Sequence, residues 1–390
     1  MTEKTLVIVL SETRESDLTF DNFKKNVIDQ LNADLCLCIG VKPDYDYNNP
    51  FYKLAKYKFT YDEPEDFASA FDYAHNDILK NRPRYELFTI FNSTISIESI
   101  EYRRKLEKKL YEIMSFIEKS NIDSDEFVYQ AKCIRYQSSI NELWENELSI
   151  IENNLNDFVH EDDVIIFKKH LNWREFLKIK NQFLGGIKDK DNQHPGSAGI
   201  LIFFRWFLLK KLIESDLINK YDRFIITRSD YIYQLPHPKL ELMDNKYIWI
   251  PDSEHYGGFT DRHAVLSKEN IRCYLDILTN ITIRSIEYYT GMLYHNEWNL
   301  EQFIRYHLYK NNALGSIKEF PYVMYSVRSP NGTTRWASGE FSENFGYYIK
   351  YQSEFDKSSY YKEQFNKYKS EECNLYYLNI DNFYKKFINK

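Results

Sequence analysis

The chain has 390 residues, 58 of them acidic and 51 basic, for a formal charge of −7. That length fits one large or two ordinary domains, and a hydrophobic content of 43% is ample for a core. The acidic balance lacks the basic stripe of a duplex-binding protein. The five cysteines, Cys36, Cys38, Cys133, Cys273 and Cys373, are odd in number and mostly scattered. Cys36 and Cys38 would share one strand face, with no second pair to complete a zinc site, which fits a reducing cytosol. The 33 tyrosines and 27 phenylalanines suit sugar rings, but a compositional habit explains most of them.

In chain order, residues 5–10 read as a first strand and 11–16 as a polar loop. Residues 17–31 read as a helix, with Asp17 as its cap and Leu18, Phe20 or Phe23, Val27, Ile28 and Leu31 on one face. Residues 35–39 form a second strand, so a right-handed crossover puts Ser11, Thr13 and Arg14 at the carboxyl edge of a parallel sheet. No Gly-x-Gly-x-x-Gly follows the first strand, which argues against a dinucleotide or P-loop site and against a methyltransferase. Ser11, Thr13 and backbone amides offer hydrogen bonds to a nucleotide, and Arg14 either pairs with a diphosphate or bonds a surface carboxylate.

A third strand is expected over 56–61 and helices over 66–80 and 97–119, the latter with a charged, solvated face. Residues 120–160 read as a helical insertion and 163–167 as another strand. The Gly-rich loop from Gly185 to Gly199 opens a helix over 197–214, where free amides make either an anion site or a connection capped by Ser197. The apolar start is too short for the core of a signal peptide. The longest apolar run, 198–209, is broken by Arg205 and is far too short to span a bilayer. A cytoplasmic chain is expected, at most peripheral to the inner membrane face.

Residues 224–227 have the length and β-branching of a buried central strand, which ends abruptly in Arg228, Ser229 and Asp230. A charged pair at that end reads as site rather than scaffold. A strand over 246–250 follows, then a loop with Asp252, Glu254, His255, the Gly257-Gly258 hinge, Asp261, Arg262 and His263. Helices are expected over 269–281 and after Asn296, with Glu297 in a first turn, and a last strand over 322–327. Residues 311–390 would form a C-terminal strand and a helical, irregular cover, with Arg335 beside Trp336.

The order of these motifs carries a resemblance. Leu6-Val-Ile-Val-Leu10, the loop ending in Arg14, Asn22-Phe23, Asn32-Ala-Asp34, Tyr221-Asp222, Arg228-x-Asp230, Gly257-Gly258 and Asp261-Arg262 follow one another across about residues 5–310. In that order they resemble glycosyltransferases of the GT-A fold found in bacterial and viral surface-polysaccharide clusters, those for capsule and lipopolysaccharide. The resemblance implies an α/β fold with a mainly parallel sheet flanked by helices. It implies one transferase domain over 1–310 with the insertion at about 97–160, and transfer of a sugar from a nucleotide donor to a glycan hydroxyl. Ser11, Thr13, Arg14, His194, Ser197, Arg228, Asp230 and Arg262 would then bind the donor.

Such transfer needs the leaving diphosphate stabilised and, when inverting, a carboxylate base. Where the family uses Asp-x-Asp this chain has Arg228-Ser-Asp230. Asp230 would hold Mg2+ or Mn2+, because hard cations bind diphosphate through one or two protein carboxylates; the alternative is metal-free stabilisation by Arg228 and Arg262. Asp252, Glu254 and Asp261 are the base candidates. Two other classes fit the same cradle: transfer of another nucleotide-linked, phosphoryl-type group, and a non-catalytic nucleotide- or glycan-binding protein.

Overall fold

The structure is a computed structural model describing residues 3–80, 82, 85–90, 105, 108, 112, 127–130, 164–180, 182–188, 194, 196–295, 297–330 and 338–369. Nearly all of the charged helix expected over 97–119, most of the insertion over 120–160, the Arg335-Trp336 pair, Cys133, Cys373 and residues 370–390 lie outside the described residues. The chain divides into two compact units: Met1–Ala70 with Lys180–Ile277 and Glu297–Lys390, and Phe71–Ile179 with Leu278–Asn296.

The first unit opens on β1 (Thr5–Ser11), whose apolar residues are buried on both faces, as a central parallel strand requires. Helix α1 (Ser16–Phe23) continues into a π-helical stretch, Lys24–Asp29, before β2 (Asp34–Val41). Asp17 lies in the first turn of α1 rather than at its cap; Glu15 takes the cap position in a left-handed conformation, φ 55°. β3 (Tyr57–Asp62) alternates half-buried and exposed residues, as an edge strand does.

The second unit holds β4 (Tyr85–Ile90), β5 (Phe127–Gln130) and β6 (Val164–Lys169), antiparallel with β6 in the middle. The 3-10 turn Trp173–Lys178 follows, capped by Asn172 Oδ1 accepting from Arg174 N at 2.9 Å. Asp72 anchors this turn, accepting from Trp173 Nε1 at 2.9 Å and from the Arg174 guanidinium.

The chain returns to the first unit through α2 (Ala198–Glu214), which packs on β1 and β2 and is buried on most of its circumference. β7 (Arg223–Thr227) lies beside β1 in parallel, Val7 opposite Ile225. Then come β8 (Tyr231–Tyr233), β9 (Ile248–Pro251), β10 (Ala264–Ser267) and α3 (Leu300–Lys310). The unit finishes with β11 (Ile317–Phe320), β12 (Met324–Arg328), β13 (Glu340–Ser342), β14 (Tyr347–Ile349) and α4 (Gln352–Lys369). The expected helix over 269–281 is two short ones, Ile271–Leu275 and Ile277–Ile283.

The main sheet has seven strands in the order β11-β9-β10-β7-β1-β2-β3. Its pairs are parallel except those of β10, which runs against both β7 and β9. The class is therefore α/β, with a mostly parallel sheet flanked by helices. A smaller sheet, β13-β14-β12-β8, brings the C-terminal segment beside the chain that follows β7. Cys36 and Cys38 are free thiols buried in β2, where burial pushes both thiols up, away from thiolate reactivity. Among the described residues no helix is long and apolar enough to cross a membrane.

Candidate functional site

The carboxyl ends of β1 and β7 meet at a loop pair held by one hydroxyl. Ser229 is buried, and its Oγ accepts from Arg14 N at 2.7 Å and lies 3.2 Å from Glu12 O and 3.1 Å from Arg14 O. Thr19 Oγ1 is 2.7 Å from Ser229 O, and Val327 N donates to Asp230 O at 3.0 Å. The Ser229 hydroxyl thus stitches the end of β7 to the loop after β1, and the Asp230 carbonyl ties it to β12.

Above this junction lies a cavity of about 300 Å³, at the lower end of small-molecule sites. Arg14, Arg228 and Lys350 bring positive charge to its wall, together with Ser11 and the α2 N-terminus from Gly196 to Ala198. A 17-residue helix presents the positive end of its dipole there. Burial and then the guanidiniums of Arg228, Arg328 and Arg14 push the Lys350 ammonium down to about 7, against the pull of Asp230.

Asp261 and Glu301 line the same cavity, and burial followed by the neighbouring Asp261 pushes the Glu301 carboxyl up to about 7. Glu301 sits in the first turn of α3, which a capping box of Asn299 and Gln302 opens. Tyr256 and Tyr351 add aromatic walls.

The residues singled out in the sequence separate into two groups. Ser11, Arg14, Ser197, Arg228, Asp230, Asp261 and Arg262 line the cavity; Thr13, His194, Asp252 and Glu254 are absent from its wall. Arg14 contacts Glu12, so in this structure it bonds a carboxylate at the mouth. Ser11 turns the chain at φ 79°, outside the usual strand region. Thr13 Oγ1 is 2.8 Å from Tyr45 OH. Ser197 precedes α2 without making a side-chain cap, and His194 is buried, its carbonyl accepting from Gly186 N at 3.0 Å.

The base candidates Asp252 and Glu254 have structural partners. Asp252 accepts from Tyr322 N at 3.0 Å and from Tyr361 OH, and lies 3.3 Å from Lys357 Nζ, so it fastens α4. Burial raises its carboxyl despite those donors. Glu254 accepts from Arg262 Nη1 at 3.0 Å, Ser353 Oγ at 2.6 Å and Tyr256 OH. Arg262 also contacts Glu354, which accepts from Tyr322 OH at 3.0 Å, Ser326 N at 2.7 Å and Ser326 Oγ at 2.6 Å. Arg262 therefore ties α4 to the loop before β10, and its guanidinium lies 4.2 Å from the Tyr351 ring centre.

The Gly257-Gly258 pair serves packing. Gly257 takes φ 83°, and a Cβ at Gly258 would collide with the backbone of Glu301 and Gln302. Phe259 N donates to Glu301 O at 3.0 Å, so the loop carrying Asp261 rests on the first turn of α3. Glu297 is exposed and paired with Lys180, off the cavity wall. His263 is fully buried, its Nε2 3.1 Å from His237 Nε2, and His255 Nε2 is 3.0 Å from Glu319.

Asp230 has both oxygens occupied. Arg228 donates to them through Nε at 2.9 Å and Nη2 at 2.7 Å, and Arg328 Nη1 lies 2.6 Å from Oδ2. Burial raises the Asp230 carboxyl, but Arg228 and Arg328 more than offset it and hold the group well below the usual carboxylate range. No family model, curated protein or solved structure matches this chain. Among the described residues no group of three or more His, Cys, Asp and Glu side chains is arranged around a metal position.

Lys350 and Glu301 had no role in the sequence reading. The Asn299-x-x-Gln302 box was the available signal for Glu301, because it starts the helix at Leu300 and puts Glu301 in its first turn. Lys350 carries no local signal.

Proposed function

We propose that this protein is a GT-A-type glycosyltransferase that moves a sugar from a nucleotide-sugar donor to a hydroxyl of a glycan acceptor. The observation that carries this reading is one cavity that holds both cationic and acidic groups. Arg14, Arg228 and Lys350 line it together with Asp261 and Glu301, beyond the carboxyl ends of parallel strands where α/β ligands sit.

The donor's diphosphate fits the cationic residues, whose guanidiniums and ammonium neutralise the charge that develops as it leaves. Glu301, raised to about 7 beside Asp261, has the proton affinity of a general base working near neutral pH. It takes the proton of the acceptor hydroxyl as that oxygen bonds to the anomeric carbon. The bond from the anomeric carbon to the diphosphate oxygen breaks, and its electron pair leaves on the diphosphate. Tyr256 and Tyr351 offer ring faces to the sugars.

The test is a thermal-shift panel of nucleoside diphosphates and nucleotide sugars. At about 100 times its dissociation constant one member should add roughly 2.7 kcal/mol. No shift with any member would overturn the proposal.

A further inference from the structure

The Arg-Ser-Asp end of β7 stands where the resemblance would have a metal-binding pair of carboxylates, and its remaining carboxylate does not fit that task. Both oxygens of Asp230 are taken by Arg228 and Arg328. A cation there would have to displace charge-assisted bonds in a buried setting, at the cost of stranding two guanidiniums. Arg328 is fully buried, and its Nε and Nη2 find no hydrogen-bond partner among the described residues. The region is thus short of negative charge, and a dication would worsen the shortage.

We propose that Arg14, Arg228 and Lys350 form a clasp that binds the diphosphate of a nucleotide-linked donor without a divalent metal, with Asp230 as the internal counter-ion that orients Arg228 and Arg328. The clasp rests on the glycosyltransferase reading for its donor, but its chemistry requires only a diphosphate. Three guanidiniums, those of Arg14, Arg228 and Arg328, act electrostatically on Lys350. Among the described residues the carboxylates in ion-pair contact with these four cationic side chains are Asp230 and Glu12, so the cations outnumber the carboxylates that pair with them, and a dianionic diphosphate would supply the missing negative charge. The depressed Lys350 ammonium has the same origin, since burial and three guanidiniums act on it with Asp230 opposing. An incoming dianion reverses that push and restores the proton.

The three members reach the cavity from separate parts of the chain. Arg14 follows β1, Arg228 ends β7, and Lys350 follows β14 in the C-terminal segment. Lys350 N donates to Ser326 O at 2.9 Å, which fixes the backbone of this residue against β12. The donor pocket is therefore complete only when the small sheet is in place.

The experiment is isothermal titration of the full-length protein with inorganic pyrophosphate, in excess chelator and again with magnesium or manganese. The expected result is saturable binding in chelator, no weaker than with metal. Lys350→Gln should weaken it by at least about tenfold, the loss expected for one charged hydrogen bond, while Lys350→Arg should restore it. Asp230→Asn, if it folds, should bind at least as tightly in chelator; Lys350→Gln, at the half-buried rim, keeps the test decisive if it does not. Binding seen only with metal, or Lys350→Gln binding like the parent, would overturn the clasp. Pyrophosphate binding in chelator without turnover of any nucleotide sugar would leave the clasp standing and remove the sugar-transfer reading. Sugar transfer with strictly metal-dependent pyrophosphate binding would do the reverse.

Discussion

Gly258 is the point where the acidic residues of the cavity can be perturbed without touching a charged group. A Cβ there would fall far inside the roughly 3.5 Å that carbon contacts favour, against the Glu301 carbonyl and Gln302 N, all rigid backbone of the first turn of α3. Gly258→Ala must therefore lift the loop off the helix. The overpacking costs about 1–3 kcal/mol. The Phe259 N to Glu301 O bond at 3.0 Å and the Asn299 Nδ2 to Tyr256 O bond at 3.0 Å would go with it, at about 0.5–1.5 kcal/mol each. A loss of roughly 2–6 kcal/mol is expected by urea denaturation, with nucleotide-sugar turnover falling because Asp261 and Glu301 part. Gly315→Ala, where an added Cβ meets nothing within 4 Å, is the control and should stay within about 0.5 kcal/mol. Parental stability and turnover in Gly258→Ala would refute the packing role.

Turnover should follow a bell in pH. Glu301, pushed up to about 7, gains its basic carboxylate as pH rises, while Lys350, pushed down to about 7, loses its cation over the same range. The maximum should fall near 7, with the acid limb belonging to Glu301; Lys350→Arg should remove the alkaline limb in a pH series of kcat/KM. Stability should fall in acid because His237, at about 4, and His263, held well below its usual value, are neutral when folded, chiefly through burial. Their unfolded forms take protons below about 6.5, so each costs up to roughly 1.4 kcal/mol per pH unit on going down from there. Chemical denaturation at a series of pH values should show that slope, and a flat profile from 6.5 to 5 would contradict it. Glu354→Ala leaves Arg262 with one fewer partner and strips acceptors from Tyr322 and Ser326, for a loss of about 3–5 kcal/mol. Protease should then cut ahead of α4 first, which limited proteolysis would detect.

The strands of the main sheet were legible where an apolar, β-branched run is long enough to stand out, as in β1, β2 and β7. β10 and β11 were not, because four residues carry no period; their pairing, Val265 opposite Trp249 and Ile317 opposite Ile248, is set by tertiary contact. The Arg228-Ser-Asp230 end of β7 was readable as charge at a strand terminus, and it lines the cavity. The partner of Asp230 was only half readable. Arg228 is two residues away, but Arg328 arrives from almost a hundred residues downstream. Asp252 and Glu254 lie at the right end of β9 and still miss the cavity wall, because Tyr361, Lys357 and Ser353 of the C-terminal segment claim their side chains. Lys350 enters for the same reason: a segment that looked like cover supplies part of the wall.

The most direct test of the account is release of nucleoside diphosphate from a panel of nucleotide sugars, comparing the parent with Glu301→Gln. The account predicts that one donor is consumed, slowly by water and faster with a glycan acceptor, and that Glu301→Gln, which keeps the shape but not the base, lowers the rate by about 10²–10⁴ while still binding the donor. Release from no donor by folded, nucleotide-binding parent, or an undiminished rate in Glu301→Gln, would contradict it.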